Sequence, residues 1–409
     1  MSTLFAFCTL IGVACASSQR IEAGYDCAWS PFRHLDCLQT SLEGCNSLAQ
    51  NVSGLGPSAS FPWTSQDDCL TLRGKIGFVC VYSSHAFAHG RGISVVTTPG
   101  SAQSLRQLPA FAQEGVEFKT HMPPLFEEKM LPGRGRGLVA NKTLHRGDRI
   151  FALTPILILD EVAHKNLSDE DWIEIQSVAV NRLPPVAKDM MLQLHGEFAI
   201  DTISGRIDTN SFEVEIGGSA HYIIVPEIAR LNHDCRPNAD YFFDPQTLTH
   251  HVHAATTITP GTEITITYID PLTPRQERLA QLELSWGFNC TCGSCSMHSS
   301  LSQESDARLS QMADMASRLE ETPTASSQMA QALISMYEQE RLEAFLAGPY
   351  RFAALSFCAE GQRWRAIQYA RLAIERGMLD DEFGDAHVEL MRQLAEVPEK
   401  QPCWPKQPV

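Results

Sequence analysis

The stretch that decides the fold is Arg230-Leu-Asn-His-Asp-Cys-Arg-Pro-Asn238, near the middle of the 409-residue chain. It places an amide, an imidazole, a carboxylate and a thiol side by side, and Pro237 stiffens its exit. Apolar sequence precedes it at Tyr222–Val225, and a strand-like run follows at Tyr241–Phe243. Polar side chains at the edge of a core are costly unless each has a partner, so we expect every member of this stretch to be paired.

Two later segments complete a pattern with this stretch. Gly261-Thr-Glu-Ile-Thr-Ile-Thr-Tyr268 places a tyrosine at the end of an alternating strand, and Trp286-Gly-Phe-Asn-Cys-Thr-Cys-Gly-Ser-Cys295 is a compact thiol cluster. The three segments, in this order, resemble the second half of a SET domain, the fold of S-adenosylmethionine-dependent protein lysine methyltransferases. They correspond to its usual Asn-His-Ser-Cys-x-Pro-Asn, Gly-Glu-Glu-Leu-x3-Tyr and post-SET Cys-x-Cys-x2-Cys motifs, with Asp234 where serine is usual.

The first SET motif is matched by Gly133-Arg-Gly-Arg-Gly-Leu138, about 100 residues upstream. Glycines suit a backbone that approaches a ligand closely, although an Arg-Gly turn before a strand would also explain them. Asn210 lies where related SET-and-MYND proteins have a cofactor-contacting asparagine, or it serves only as a turn or cap residue. The resemblance implies a cofactor site formed by Arg134, Gly135, Arg136, Gly137, Asn210, Asn232, His233, Tyr268 and Phe288.

Methyl transfer to lysine needs a neutral amine, whereas the free side chain has a pKa of about 10.4. The resemblance implies that the Tyr268 hydroxyl lies beside the transferring methyl group and acts as the catalytic group. It also implies that Trp286, with Tyr222 or Tyr241, walls the lysine channel. Core packing is the competing interpretation of Tyr222 and Tyr241.

Cys290, Cys292 and Cys295 supply three thiols over six residues, and tetrahedral structural zinc sites use four ligands. In the family that the chain resembles, the cysteine of the Asn-His-x-Cys motif is the fourth ligand, which here is Cys235. The metal would hold Trp286 and its neighbours over the cofactor.

The net charge of −16, from 32 basic and 48 acidic residues, argues against binding to nucleic-acid backbones. It would suit a lysine-containing protein substrate, although an acidic soluble protein without that preference has the same composition. Leu4–Ala16 is a short apolar run that ends Ala-Cys-Ala, as expected of a cleaved signal peptide at residues 1–16. The alternative is a buried or frayed apolar terminus, and no run is long enough for a membrane span.

Thirteen cysteines are present, five of them between Cys27 and Cys80. In a secreted chain these five could form disulfides, and they do not have the paired spacing of a MYND zinc finger. Localisation is therefore open. The signal-like start favours the secretory route, whereas zinc thiolates and a cytosolic cofactor favour the cytoplasm or nucleus.

The resemblance implies an α+β protein with a SET fold of short β-sheets, in which the Asn232 and Tyr268 segments form a pseudoknot. We expect a Cys/Gly/Ser-rich region at 17–120, the SET domain at 121–270 with a helical insert at about 160–200, and a post-SET zinc region at 271–298. An all-α, tetratricopeptide-like domain should follow at 306–398 and could bind a protein partner.

The local patterns give finer predictions. Short strands are expected at Phe78–Tyr82, Ile93–Val96 and Pro155–Leu159. Ser168 should cap a helix that continues to about His195, with an interruption at Pro184-Pro185. Leu138–Ala152 and the similar segment 257–264 should form two hairpins, and Ser299–Ser305 should be a polar linker.

The function predicted from this resemblance is protein lysine methylation, on a histone or another protein. Two alternatives use other features of the chain. One is an inactive SET scaffold that binds cofactor or a basic peptide without turnover. The other is a secreted, disulfide-stabilised interaction protein.

Overall fold

The computed structural model describes residues 62–74, 77–112, 125–196, 202–322, 326–380 and 386–405. The signal-like start and the first three cysteines of the upstream group lie outside the described residues. No helix among the described residues is long and apolar enough to cross a lipid bilayer.

The described residues form three β-sheets. The strands are β1 Cys69–Thr71, β2 Phe78–Ser84, β3 Ile93–Thr97, β4 Phe126–Leu131, β5 Gly135–Ala140, β6 Arg149–Leu153, β7 Leu157–Asp160, β8 Phe212–Ile216, β9 Ser219–Ile224, β10 Asn232–His233, β11 Ala239–Asp244, β12 Thr249–Ala254 and β13 Glu263–Ile266. The predicted strands at 78–82, 93–96 and 155–159 are confirmed as β2, β3 and β7.

The largest sheet has the order β1-β2-β3-β7-β9-β8. Strand β3 runs parallel to β7, so the upstream strands β1–β3 are part of the same sheet as β7–β9. All residues of β7 are buried, as expected for a continuous apolar strand covered on both faces. Cys69 and Cys80 face each other across β1 and β2 and form a disulfide.

The two smaller sheets place the central motif next to the strand that precedes Tyr268. One sheet has the order β10-β13-β5-β4, with β10 parallel to β13, and the other has the order β11-β12-β6. The Asn238 amide joins the motif to β13, because Nδ2 donates to the Glu263 carbonyl (2.8 Å) and Oδ1 accepts from the Thr265 amide (2.9 Å). This is the association of segments that the pseudoknot requires.

The prediction of two separate hairpins was wrong. The tight turn at His145–Asp148 is present, since the Asp148 amide donates to the His145 carbonyl (2.9 Å). However, β5 and β6 belong to different sheets, and so do β12 and β13. The two similar segments pair with each other instead, through reciprocal backbone bonds between Leu144 and Ile258 (2.8 and 2.9 Å). Both side chains are buried there, so burial between the sheets decides the pairing.

Besides the short helical turn Phe87–Gly90, twelve α-helices accompany the sheets in the described part of the chain. They are α1 Pro99–Leu105, α2 Pro109–Ala112, α3 Glu161–Asn166, α4 Asp169–Asn181, α5 Pro185–Leu192, α6 Thr202–Asn210, α7 Arg275–Trp286, α8 Ser299–Glu321, α9 Ser327–Gln339, α10 Ala347–Ala359, α11 Arg363–Asp380 and α12 Ala386–Glu396. The Ser168 hydroxyl accepts from the Asp171 amide (3.1 Å), which confirms the predicted cap of α4. Pro184 separates α4 from α5, as expected.

The C-terminal part is helical and has its own apolar core, formed by α8–α12. Helices α10 and α11 pack against each other, and the small residues Ala366, Ala370 and Ala373 are buried. The predicted linker at Ser299–Ser305 was wrong, because helix α8 begins there. Two of its serines, Ser302 and Ser305, are buried, and the Ser305 hydroxyl donates to Glu340 (2.7 Å).

Candidate active site

A cavity of about 930 Å³ lies where the first SET motif, β10, the end of β13, helix α6 and the residues after α7 meet. Its volume is within the range of roughly 300–1,000 Å³ that is typical of cofactor pockets. Its wall brings together residues that are distant in sequence. The predicted site residues that line it are Arg134, Gly135, Arg136, Asn210, Tyr222, Asn232, His233, Tyr241, Tyr268, Trp286 and Phe288.

Gly137 has a packing role just behind this wall. A Cβ atom built on Gly137 would lie 2.7 Å from each of three atoms: Asn232 Nδ2, Glu263 Oε1 and Leu131 Cδ1. Contacts this short do not occur in proteins, so only glycine lets these side chains reach β5. The glycine predicted to contact a cofactor therefore sets the position of the residues that line the cavity.

Asn232 and Glu263 form a polar cradle together with Arg134. Asn232 Nδ2 donates to Glu263 Oε1 (2.8 Å) and to the Arg136 carbonyl (3.1 Å). Arg134 pairs with Glu263 Oε2 (2.7 Å), and its guanidinium donates to the His233 carbonyl (2.8 Å). Both Asn232 bonds use the amide nitrogen, which leaves Oδ1 as the atom that could accept from a ligand ammonium group.

The His233 imidazole is held by the protein on both sides. Only 3% of the residue is exposed, Nδ1 accepts from the Tyr268 backbone amide (3.0 Å), and Nε2 lies 3.3 Å from Cys235 Sγ. Burial lowers the pKa of His233 to about 4, so the ring is neutral. The sequence predicted a cofactor contact from His233, and this arrangement leaves mainly its backbone for that contact.

Tyr268 lies two residues beyond the end of β13, with its ring in the cavity wall. Its hydroxyl donates to the Leu231 carbonyl (2.7 Å), so the hydroxyl oxygen faces other groups as an acceptor. Burial raises the pKa of Tyr268, which keeps the phenol protonated at physiological pH. The ring packs beside Trp286 at a centroid distance of 5.3 Å and beside Phe288 at 6.5 Å.

The remaining walls come from aromatic residues and the helical insert. Trp286 Nε1 donates to the Thr209 carbonyl (3.1 Å), which ties the post-SET segment to α6. Asn210 has the capping role, because its Nδ2 closes the end of α6 through the His195 and Arg206 carbonyls. It also lines the cavity, and its predicted contact with the cofactor stays a prediction. Tyr222 and Tyr241 likewise line the cavity and pack against the cores, and burial raises the pKa of Tyr241 to about 12.

The four cysteines predicted to bind zinc converge at one point. Their Sγ atoms lie within 4.8 Å of one another, and all four residues are buried and free of disulfides; they are Cys235, Cys290, Cys292 and Cys295. A tetrahedral zinc with bonds of about 2.3 Å separates its sulfur ligands by roughly 3.8 Å, so the cluster can hold the ion after small adjustments.

Arg278 is a buried cation beside the thiol cluster, and the sequence motifs did not predict it. It is 1% exposed and is the largest fully buried side chain among the described residues. Burial disfavours the charged form of Arg278 and acts to lower its pKa, but the neighbouring Cys235 and Cys295 outweigh this and raise the pKa above its usual value. A zinc ion with four thiolates has a net charge of −2, and this guanidinium offsets part of it. No sequence pattern marks Arg278 as buried, because an arginine on an amphipathic helix is usually exposed.

The central motif is also attached to the C-terminal helices. The Arg236 guanidinium donates to Glu340 Oε2 (2.6 Å), to the Glu340 carbonyl (2.5 Å) and to the Cys235 carbonyl (2.8 Å). Glu340 is 4% exposed and also accepts from Ser305 and Arg308. This buried network fixes the C-terminal helical part against the segment that contains Asn232 and Cys235.

Comparison with known proteins agrees with this architecture. Residues 135–269 match the SET domain family. Histone-lysine N-methyltransferase set5 of Schizosaccharomyces pombe is 28% identical over 184 residues, which cover 45% of this chain and 54% of that protein. N-lysine methyltransferase SMYD2-A of Danio rerio is 30% identical over 179 residues, 42% of this chain and 40% of that protein.

The fold and the residues around the cavity therefore define a SET domain at residues 135–269. Beyond the SET domain match, the chain is similar in sequence to these two lysine methyltransferases, as a divergent relative of the SET-and-MYND group. It spans about half, or less, of the length of these curated relatives.

Proposed function

We propose that this protein is an S-adenosylmethionine-dependent methyltransferase that acts on lysine side chains of a protein substrate. The observation that carries the proposal is the position of Tyr268. Its hydroxyl is fixed by the Leu231 carbonyl in the wall of a cavity that is also lined by Asn232, whose amide is held by Glu263. The match of residues 135–269 to the SET domain and the lysine methyltransferase names of the relatives support the same activity.

The cradle suits the amino-acid end of the cofactor. Asn232 Oδ1 and the Glu263 carboxylate would accept hydrogen bonds from the ammonium group, and Arg134 would face the carboxylate. Phe288 would stack against the adenine ring at the other end. When bound, S-adenosylmethionine supplies a methyl group on a positively charged sulfur.

The chain's own residues would then position the lysine. Tyr241, Trp286 and Tyr268 present apolar ring surfaces that exclude water from the channel, which favours the neutral amine over the ammonium form. The Tyr268 hydroxyl donates a hydrogen bond to the Leu231 carbonyl, so its oxygen is available to accept a hydrogen bond from the amine and to stabilise the developing charge. Tyr222 would lie at the outer part of the channel.

The remaining parts of the protein would have supporting roles. Zinc bound by the four cysteines would hold Trp286 and Phe288 over the cavity. The net charge of −16 would favour a lysine-rich segment as the substrate, on a histone or another protein. We also propose that the C-terminal helices form a tetratricopeptide-like surface for a protein partner and that the chain follows the secretory route.

The experiment that tests this proposal compares wild-type protein with Tyr268→Phe in a tritiated methyl-transfer assay on lysine-rich proteins. Loss of one hydroxyl should change the free energy of unfolding by only about 1 kcal/mol. Turnover should fall by on the order of 100-fold, because the hydroxyl acts where the methyl group moves. Mass spectrometry of the products would show whether the number of added methyl groups changes.

Calorimetry supplies the control, since the affinity for S-adenosylmethionine should be nearly the same in both proteins. Wild-type protein that binds zinc and cofactor, yet modifies no lysine in a broad set of proteins, would instead favour a binding scaffold. An active enzyme that is indifferent to Tyr268→Phe would show that another residue is catalytic.

A further inference from the structure

The side chain of His233 connects two parts of the site that the sequence treats as separate. Nδ1 lies 3.0 Å from the Tyr268 backbone nitrogen, and Nε2 lies 3.3 Å from Cys235 Sγ. The imidazole therefore lies between the thiol cluster and the backbone of the proposed catalytic residue. With 3% of His233 and none of Cys235 exposed, water does not compete for either contact.

The chemistry of the two neighbours fixes the tautomer. A backbone amide is only a donor, so Nδ1 must present its lone pair to Tyr268. In a neutral imidazole the proton is then on Nε2, and this N–H points at Cys235 Sγ. A metal-bound thiolate accepts such a bond, and a ligand supported by a neighbouring donor is held in a defined orientation.

The backbone around Tyr268 explains why this contact matters. Strand β13 ends at Ile266, which pairs with His233 and accepts from the Asp234 amide (2.9 Å). Tyr268 lies beyond that pairing, and its amide is bonded to the imidazole. The orientation of the His233 ring thus decides where the Tyr268 backbone is placed.

We propose that His233 is a positioning residue that couples the thiol cluster to Tyr268 through Cys235 Sγ, Nε2–H and Nδ1. Its effect on turnover rests on the proposed methyltransferase function, whereas its two hydrogen bonds do not. The coupling means that the metal would support the catalytic tyrosine directly, in addition to holding the post-SET segment.

Two substitutions separate the two hydrogen bonds of the His233 ring, one to the Tyr268 amide and one to Cys235 Sγ. In His233→Asn the amide oxygen can replace Nδ1 and keep the bond to Tyr268, but the donor to Cys235 is lost. In His233→Gln the longer amide can place its nitrogen near Cys235, but the acceptor for Tyr268 is lost. His145→Gln, at an exposed turn, serves as the control.

The first readout is the sulfur-to-metal charge-transfer spectrum of the cobalt-substituted protein, which does not depend on activity. His233→Asn should shift these bands to lower energy, because the thiolate loses a hydrogen bond, whereas His233→Gln and the control should keep the wild-type bands. Turnover should show the opposite order, with a loss of about tenfold or more in His233→Gln and a smaller loss in His233→Asn. Unchanged bands in His233→Asn would overturn the proposal, and so would an equal loss of turnover in both variants.

A measurement on wild-type protein covers the case in which a variant fails to fold. Long-range nitrogen–proton NMR spectra of the zinc-loaded protein should show the His233 proton on Nε2 and none on Nδ1. A proton on Nδ1 would overturn the proposal. If the protein proves inactive while the spectra agree with expectation, the coupling of Cys235 to Tyr268 through His233 is supported and only the proposed methyltransferase function fails.

Discussion

At the scale of single residues, the geometry of the cavity wall depends on Gly137, which has no side chain. Asn232 Nδ2 and Glu263 Oε1 would each lie 2.7 Å from a Cβ atom at this position. These two side chains also bond to each other at 2.8 Å, so neither can withdraw without breaking the polar cradle.

We therefore expect Gly137→Ala to weaken S-adenosylmethionine binding by about tenfold or more, because the methyl group displaces Asn232 and Glu263. Calorimetric titration would measure this change. Gly348→Ala is the matched control, since Gly348 lies in helix α10 with no heavy atom within 4 Å of the added Cβ. Equal cofactor affinity in both variants would show that the cradle does not bind the cofactor.

A second prediction concerns Arg278, the buried cation beside the thiol cluster. Arg278→Met preserves much of the side-chain volume but removes the charge that offsets the thiolates, so zinc should be released to a chelator at least about tenfold faster. A colorimetric zinc indicator would follow the release. Arg278→Lys should give an intermediate rate, because it keeps the charge without the planar group. If the methionine variant released zinc at the wild-type rate, Arg278 would have no electrostatic role at the metal.

The sequence identified much of this site but not all of it. Asn232, Tyr268 and the four cysteines were predicted because their spacing resembles known motifs, and each reaches the expected place. Glu263 and Arg278 were missed, because their roles arise from neighbours that are distant along the chain. The side chain of His233 was assigned to the cofactor, and only its distances to Tyr268 and Cys235 show a different set of partners.

At the scale of elements, local patterns predicted turns and caps better than pairings. The cap at Ser168 and the turn at His145–Asp148 depend on neighbouring residues only, and both are present. The partners of β5 and β13 depend on which apolar side chains are buried between sheets, which a hairpin pattern does not encode. The start of α8 was missed for a similar reason, because Ser305 is buried in contact with the distant Glu340, which apolar periodicity does not indicate.

Glu340 connects the SET domain to the C-terminal helices, because its carboxylate pairs with Arg236 and with Arg308. Although burial acts in the opposite direction, the hydrogen bonds and charges of Arg236, Ser305 and Arg308 lower the pKa of Glu340. A carboxylate with a depressed pKa stabilises the fold above its unfolded pKa of about 4.3, and this contribution is lost as the pH falls through the lower folded value.

We expect Glu340→Gln to lower the free energy of unfolding by about 3–5 kcal/mol at pH 7, because Arg236 remains buried without its counter-charge. Denaturant unfolding at pH 7 would measure this change, and the difference from wild type should shrink in acid. The neighbouring Glu338→Gln, at an exposed position, should change stability by less than about 0.5 kcal/mol. A similar effect of both substitutions would argue against the buried network.

At the scale of the whole molecule, the described cysteines fall into two groups, disulfide-bonded and free. One disulfide joins Cys69 to Cys80 across β1 and β2, and another joins Cys358 of α10 to Cys403 near the C-terminal end. Between them in sequence lie the four free thiols around the zinc-binding position. Disulfides persist in oxidising compartments, and metal coordination is what would keep four adjacent thiols from forming disulfides there.

The last prediction follows from this division of the cysteines. Native protein should contain about one zinc per chain, and Cys292→Ser should lose it, because three remaining thiolates no longer complete the tetrahedral site.

Metal analysis by mass spectrometry would give the zinc content, and peptide mapping without reduction would locate the disulfides. In wild-type protein the mapping should find Cys69–Cys80 and Cys358–Cys403, with Cys235, Cys290 and Cys295 alkylated only after the metal is removed. In Cys292→Ser these three thiols should react at once or form new disulfides, whereas the two native disulfides remain. Well-folded wild-type protein without zinc would contradict this assignment of the thiol cluster.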